Sequence, residues 1–394
     1  MRNLVTGITY LLVGCSVILL ILIIFVNFKE QVWNNFMPDE PKQKEKITEE
    51  TEEPDDKPPD STEETTAYAV PTANVNVKIE DAMVYDGKLE LPVNGATGYA
   101  SVKLEVLDDD YNVMTTLEPG KGFRILQEAE SWWRIYIKSE TDDGGLVGWV
   151  RHNLCMINLP DVIPSVIYDN TNAYGSVFRA NEETIPDITG RQLYSYSDRK
   201  DGKAYNERLQ KYEYIVPVLY AMSERICQAQ RNALANNDTL VIYEGFRPDE
   251  TQSMVFSEVF KLPDSQRNFG SYGITWFIAS GTSNHQKGYA IDTSLAKIVD
   301  KEYSVTGKYK YLQFKYLDHT MPCQIHELSV KATLANAKDN IPAQNLQKYC
   351  ADAGLSSLTS EWWHFNDETT NAGITRTSDG KFKITECYSV SPSS

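Results

Sequence analysis

Two short stretches of this chain carry most of its chemistry, and they lie far apart in the sequence. The first has the pattern S-x-H-x-x-G-x-A-x-D and runs from Ser283 to Asp292, and the second has the pattern E-x-x-H and runs from Glu361 to His364. Gly288 lies between the histidine and the aspartate of the first stretch, where the lack of a Cβ lets the backbone turn so that both side chains face one point. The fold has to bring the two stretches together if they act as one site.

The residue types in these stretches predict a catalytic zinc site. Catalytic zinc usually takes three protein ligands from His, Asp and Glu, and it leaves one position for water. We expect His285 and Asp292 to be two ligands and His364, from a strand distant in sequence, to be the third. Glu361 lies three residues before His364, and a carboxylate beside zinc-bound water can take its proton and pass it to a leaving amine. The sequence therefore predicts one Zn²⁺ per chain with Glu361 as general base.

Three more residues are predicted to contact a substrate. Arg247, in the sequence GFRP that follows a predicted strand, would stabilise a developing oxyanion, as cations in closed sites do. Ser283 is expected to form a hydrogen bond with the substrate or within its loop rather than to act as a nucleophile. His326 is a further candidate contact, for which a structural role is an equal alternative. Each short motif is common by itself, and their joint presence makes a functional site the better explanation.

Together these stretches resemble the zinc D-alanyl-D-alanine peptidases of the VanX and VanY type, over residues 160–365. The resemblance implies that His285, Asp292 and His364 are the zinc ligands. It also implies that Glu361 is the base and Arg247 the arginine that stabilises the transition state. The expected activity is that of a D,D-carboxypeptidase acting on a peptidoglycan stem peptide or its precursor.

One segment departs from the pattern of that family. Its free-dipeptide hydrolases carry a Met-Gly-x-x-Phe-Asp segment whose Asp holds the substrate amine, and the corresponding residues here run from Met321 to Glu327. An Asp is missing there, although Glu327 is adjacent, so a dipeptidase is the weaker alternative beside another peptidoglycan peptidase. A second alternative is an inactive wall-binding protein, against which the presence of all four zinc-site residues argues. Ser294 and Lys297 match the S-x-x-K motif of serine peptidases, but the other motifs of that class do not follow in order.

The N-terminus predicts a membrane anchor. Residues 4–28 contain no charged side chain and are long enough to cross a bilayer, and Arg2 before them favours a cytoplasmic N-terminus. We expect residues 1–30 to form an uncleaved single-pass helix, because a signal peptide would be shorter and a lipoprotein would turn polar after Cys15. The catalytic domain would then be extracellular at the cell membrane. Residues 31–75 are acidic and poor in large apolar side chains, which predicts a disordered linker.

The rest of the chain predicts two domains. Short alternating strands are expected at 101–106, 122–126, 132–137 and 146–150. This part resembles a bacterial SH3-type domain, a small β-barrel that often binds cell wall, and we assign it residues 76–159. Trp133 and Trp149 either fill its core or contact its ligand.

The second domain, residues 160–394, has a mixed pattern. We expect helices at 217–235 and 343–353, and strands at 240–243, 289–295 and 361–365. These elements do not alternate regularly, so the predicted fold is α+β with a mostly antiparallel sheet and flanking helices. The formal net charge is −17, and no block of Lys and Arg is present, which disfavours a nucleic-acid partner.

Overall fold

The structure is a computed structural model, and it describes residues 77–139, 144–169, 179–180, 182–184, 203–263, 277–369, 380–385 and 387–392. The anchor predicted at 1–30 and the linker predicted at 31–75 lie outside these residues. Within the described ranges, no helix is long and apolar enough to span a membrane.

The first described part of the chain folds into an antiparallel sheet. Its strands are β1 (Thr97–Ala100), β2 (Leu104–Leu107), β3 (Val113–Leu117), β4 (Gly122–Ala129), β5 (Trp132–Lys138), β6 (Gly145–Arg151) and β7 (Cys155–Asn158). They lie in the order β7-β1-β4-β5-β6-β2-β3. The strand predicted at 101–106 begins three residues later than expected, as β2 at Leu104, because the chain bends between β1 and β2. Trp133 and Trp149 are both buried, which assigns them to the core of this sheet.

The smaller strands of the middle of the chain are β8 (Ile167–Tyr168), β9 (Arg179–Ala180), β10 (Glu183–Thr184), β11 (Ala204–Asn206), β12 (Lys211–Glu213) and β13 (Pro217–Leu219). β13 pairs with β7, so the first sheet has eight strands and includes a segment beyond the predicted domain boundary at 159. Among the described residues no pairing joins its outer strands β13 and β3, and the barrel of an SH3-type domain stays a prediction.

The helix predicted from residue 217 begins three residues later than expected. Pro217 starts β13 instead, and the strand is fixed by pairing with β7 and by the Val216 amide, which donates to the side chain of Asn158 at 2.9 Å. A proline is tolerated at the first residue of a strand because no ladder hydrogen bond is lost there. The helix itself, α2, spans Tyr220–Leu234.

A second sheet carries the predicted site. Its main strands are β14 (Asp238–Glu244), β15 (Ala290–Thr306), β16 (Tyr309–Asp318), β18 (Ser356–Leu358) and β19 (Glu361–Asn366). The short strand β17 (Glu327–Leu328) belongs to a separate small sheet with β9 and β10. The order is β18-β19-β15-β14-β8, and β16 pairs with the far half of β15. In this sheet only the β14–β8 pair is parallel, and in the small sheet β17 pairs in parallel with β9. The other pairs are antiparallel, which confirms the predicted α+β fold with mostly antiparallel sheets within the described residues.

β15 is much longer than the predicted strand at 289–295. Its first residues pair with β14 and β19, and its second half forms a hairpin with β16 across the turn at Gly307. Gly307 has φ 54°, a left-handed conformation that glycine adopts without a steric penalty. β15 continues beyond residue 295 because β16 pairs with it as far as Thr306. The periodicity of residues 289–295 alone does not show this partner strand.

The described residues form five α-helices. They are α1 (Leu159–Val162), α2, α3 (Asp249–Phe260), α4 (Leu334–Ala337) and α5 (Ile341–Asp352). Of these, α2 and α5 pack against strands of this sheet. α2 packs against β14 and α5, and its buried residues recur with helical spacing. The helix predicted at 343–353 is confirmed as α5. The Asn340 side chain caps its N-terminus by accepting from the Ala343 amide at 2.9 Å, and Gly354 follows its end with φ 83°.

Candidate active site

Strand register brings two of the predicted ligands together. Asp292 on β15 lies directly opposite His364 on β19, and directly opposite Glu244 on β14. Residues opposite each other on neighbouring antiparallel strands point to the same face of the sheet. The third ligand, His285, lies in a 3₁₀ turn, His285–Lys287, that ends at Gly288 with φ 77°. The predicted turn at Gly288 is therefore present, and it returns the chain into β15.

Three ligand atoms converge at this face. His285 Nε2 lies 3.2 Å from His364 Nδ1 and 3.4 Å from Asp292 Oδ1, and His364 Nδ1 lies 3.1 Å from the same oxygen. All three side chains are buried. Zinc bonds of about 2.0–2.1 Å in tetrahedral geometry separate ligand atoms by roughly 3.3–3.4 Å. The spacing and the donor types therefore fit a zinc ion held by two imidazole nitrogens and one carboxylate oxygen.

The outer nitrogens of both rings have acceptors, which fixes their tautomers. His285 Nδ1 lies 2.8 Å from the carbonyl oxygen of Gly245, and His364 Nε2 lies 2.9 Å from Oδ1 of Asn366. Each outer nitrogen therefore carries the proton and donates it to an oxygen. A cation bound between the side chains would take the lone pairs of the two inner nitrogens, whereas without it an inner nitrogen can carry a second proton and donate to Asp292.

The ionisation of Asp292 and His364 follows from their burial and from their close contacts with one another. Burial alone would raise the pKa of Asp292, but the neighbouring His285 charge and hydrogen bonds from three histidines hold that pKa well below its usual value. Burial opposes the charged form of His364, yet the hydrogen bond to Asp292 outweighs it and raises the pKa of the imidazole. The carboxylate is thus kept in the ionised form that a metal requires.

Glu361 lies beside the three converging side chains. Its Oε2 is 3.7 Å from His364 Nδ1, and the side chain is buried. Burial, with a contribution from the negative charge of Asp292, raises the pKa of Glu361 to about 8. A carboxylate whose pKa lies near neutrality can accept a proton and give it up again within one reaction cycle.

Arg247 is held rigidly at the edge of the same site. Its Nε donates to Glu244 Oε1 at 2.8 Å, its Nη2 donates to the other oxygen of Glu244, and its Nη1 donates to Gln252 Oε1 at 2.7 Å. Nη2 also lies 3.5 Å from Asp292 Oδ2. A guanidinium held by a fork of hydrogen bonds is a preorganised positive charge. Such a charge can stabilise negative charge that develops in the cleft.

These groups open onto one cleft of about 250 Å³. All seven residues predicted from the sequence line it, and its apolar walls include Phe277, Ile278, Leu328, Leu358 and Trp363. Ser283 lies at its edge, and its Oγ is buried without a hydrogen-bond partner within the described part of the chain. A hydroxyl in that state is suited to a substrate oxygen or amide. The small volume suits the end of a peptide better than a folded chain.

His326 contacts Asp292, one of the three predicted zinc ligands. Its Nε2 lies 3.3 Å from Asp292 Oδ2, the oxygen that faces away from the two ligand histidines. The residue is buried and has φ 59°, so its backbone adopts the left-handed conformation that is uncommon outside glycine. Its position at the cleft is compatible with both roles that the sequence left open, substrate contact and structural support.

The segment 321–327 does not place a carboxylate in the cleft. Glu327 Oε1 accepts instead from the backbone amide of residue 182 at 2.7 Å, in the small sheet of β9, β10 and β17. The segment lines a neighbouring cavity of about 500 Å³, which shares His326 with the cleft. Glu327 therefore does not take the place of the Asp that the family resemblance predicts in this segment.

Sequence reasoning missed four residues that support the site, Glu244, Gln252, Asn284 and Asn366. Asn366 carried a readable signal, because it follows His364 by two positions in a strand and so shares its face. Glu244 lies three positions before Arg247, but its pairing with that residue depends on an irregularity in β14 that the sequence does not show.

Comparisons with known proteins identify no family for this chain. No protein-family model matches it, and no curated protein does. A solved structure of a mutant of the vancomycin resistance D,D-pentapeptidase VanY from a VanB-type cassette, in complex with Zn(II), is 14% identical, with 45% of this chain and 89% of that chain covered and a TM-score of 0.24. The LdcB LD-carboxypeptidase is 12% identical, with 56% of this chain and 100% of that chain covered and the same TM-score of 0.24. Since these TM-scores are too low to support an argument, the proposals below depend on the residues of this chain.

Proposed function

We propose that this protein is a zinc-dependent peptidase that removes the terminal D-Ala from peptidoglycan stem peptides. The observation that carries the proposal is the convergence of His285, Asp292 and His364, with ligand atoms 3.1–3.4 Å apart, in a cleft that also contains Glu361 and Arg247. These five residues have the identities and the order in the chain that the VanX and VanY type motifs require.

The geometry supports a division of labour among the side chains. A zinc ion bound by the three ligands would supply Lewis acidity toward water and toward the scissile carbonyl. Glu361 takes a proton from the attacking water as the new C–O bond forms, and it passes that proton to the leaving amine nitrogen as the C–N bond breaks. Arg247 stabilises the negative charge that develops on the carbonyl oxygen. The apolar side chains around Trp363 line the cleft beside these groups.

We assign the activity to a carboxypeptidase rather than to a dipeptidase because segment 321–327 offers no carboxylate to a free substrate amine. An inactive wall-binding protein is disfavoured because the base, the three ligands and the arginine all line one cleft. The proposal includes a single-pass anchor at residues 1–30 that places this cleft outside the cell membrane. An SH3-type module at 76–159 that binds cell wall would raise the local concentration of substrate.

The test is to incubate the purified, zinc-loaded full chain separately with a stem pentapeptide ending in D-Ala-D-Ala, with the stem tetrapeptide that lacks the last D-Ala, and with free D-Ala-D-Ala. Mass spectrometry should detect loss of one D-Ala from the pentapeptide and little cleavage of the dipeptide. Cleavage of the dipeptide alone would make the protein a dipeptidase. Cleavage of a tetrapeptide in place of the pentapeptide would indicate another peptidoglycan peptidase, and no cleavage of any of them would contradict a peptidase.

A further inference from the structure

A row of hydrogen-bonded side chains contacts His364 at the ring nitrogen that faces away from the other two predicted ligands. Asn366 follows His364 on β19 and points to the same face, and its Oδ1 lies 2.9 Å from His364 Nε2. Both residues are buried. The ring is therefore held at its outer nitrogen while its inner nitrogen faces Asp292 and His285.

The same oxygen of Asn366 accepts a second hydrogen bond. Asn284 Nδ2 donates to Asn366 Oδ1 at 2.8 Å, and Asn284 Oδ1 accepts from the Tyr289 hydroxyl at 2.6 Å. Because the amide nitrogen of Asn284 must face a hydrogen-bond acceptor, this contact orients the Asn366 amide with its oxygen toward His364. The tyrosine hydroxyl orients the Asn284 amide in turn.

The hydrogen bond between Asn284 and Asn366 also connects the two sequence motifs that form the site. Asn284 directly precedes the ligand His285 in the first motif, and Asn366 lies two residues after His364, which ends the second motif. For His285 the outer nitrogen is fixed by a backbone carbonyl, that of Gly245, whereas for His364 it is fixed by side chains. A side chain can be replaced without altering the backbone, so the role of these contacts can be tested.

We propose that Asn366 and Asn284 are positioning residues for the metal: Asn366 holds the proton of His364 on Nε2, so that Nδ1 presents its lone pair to the ion, and Asn284 holds Asn366. The proposal rests on the proposed function, since it takes His364 to be a zinc ligand. Partners that orient a metal-binding histidine fix its tautomer, and their loss typically lowers metal affinity by about 10- to 100-fold.

The experiment measures the zinc affinity of the full chain by competition with a chelator, without substrate. Asn366→Leu keeps the size of the side chain and removes the acceptor, so we expect an affinity about 10- to 100-fold weaker. Asn366→Asp keeps an acceptor for both donors, and it should restore most of the loss. Asn284→Ala leaves Asn366 in place without its orienting contact, and it should have a smaller effect in the same direction.

A buried amide away from the site provides the matched control. Gln230 on α2 donates to the hydroxyls of Ser165 and Thr239 and accepts from the Leu240 amide, and Gln230→Leu should lower stability with no change in zinc affinity. A second readout is the visible absorption spectrum of the cobalt-loaded protein, which reports ligand geometry and should change in Asn366→Leu and return in Asn366→Asp.

The outcomes separate this inference from the proposed function. Wild-type protein that binds zinc tightly, with Asn366→Leu and Asn284→Ala binding it equally well, would overturn the positioning role and leave the zinc peptidase intact. An Asn366→Asp variant as weak as Asn366→Leu would also overturn it, because an acceptor would then not be what matters. Wild-type protein without zinc affinity would instead contradict the proposed function. If Asn366→Leu does not fold, the Asn284→Ala and Asn366→Asp pair decides the question.

Discussion

Asp292 and His364 face each other directly across two antiparallel strands, with Asp292 Oδ1 3.1 Å from His364 Nδ1. The distance between these two ligand atoms is therefore set by the register of β15 and β19. A slip of one residue would turn either side chain to the other face of the sheet. His285 is added to this pair by a turn, and the site thus depends on one sheet register and one turn.

Replacing the general base should separate metal binding from turnover. Glu361→Gln has nearly the same shape, and it cannot accept the proton of the attacking water. We expect zinc binding to be retained and kcat to fall by about 10²- to 10⁴-fold. The measurement is D-Ala release at matched zinc content. A variant that keeps wild-type turnover would remove Glu361 from the mechanism.

The two hydrogen bonds from Arg247 to Glu244 should contribute to catalysis in addition to the positive charge of the guanidinium. Arg247→Lys keeps the positive charge but loses the paired contacts with Glu244, so the charge is no longer held in one place. We expect kcat to fall by about 10²- to 10³-fold, with zinc affinity nearly unchanged. Arg231→Lys on helix α2 is the control, since Arg231 bonds to backbone carbonyls of Gly87 and Leu89 outside the cleft. Equal activity of both variants would argue against a catalytic role for the arginine.

The turn at Gly288 should not tolerate a side chain. Its φ is 77°, and a Cβ there would lie 2.7 Å from Met156 Sδ. Gly288→Ala should lower the free energy of unfolding by at least ~1–2 kcal/mol, the cost of a left-handed L-residue, and should weaken zinc binding because His285 moves. Gly281→Ala is the matched control, because a Cβ at Gly281 meets nothing within 4 Å. Urea unfolding of both variants measures the difference. Equal stability of the two would show that the turn is not constrained as described.

A buried carboxylate connects the first sheet to the segment that leads into β13. Asp161 accepts from the Thr97 amide at 2.9 Å and from Asn206 Nδ2 at 2.7 Å. Asp161→Asn leaves one of these donors without an acceptor, which should cost about 1–3 kcal/mol. The surface variant Asp352→Asn, which loses an exposed contact with Lys348, should cost about 0.3–0.5 kcal/mol. Thermal unfolding checks this prediction, and an Asp161→Asn protein as stable as wild type would refute it.

Much of the site was readable in the sequence because its residues lie in short motifs. Motif spacing, ligand chemistry and the family resemblance predicted His285, Asp292, His364 and Glu361 as one site, and the structure brings these four side chains together. The sequence did not show that Pro217 begins a strand, because that depends on the edge that β7 offers to it. Nor did it show that β15 continues to Thr306, since the second half of that strand is defined by its partner β16. Pairing between distant segments was the missing information in both cases.

The most direct test of the account is the number of zinc ions bound per chain, counted by native mass spectrometry. The wild-type chain should hold one zinc ion. Asp292→Ala and His364→Ala, which each remove one of the three converging ligand atoms, should hold none at the same zinc concentration, and Glu361→Gln should still hold one. A wild-type chain that binds no zinc, or ligand variants that bind it as the wild type does, would contradict the metal site on which the proposed function depends.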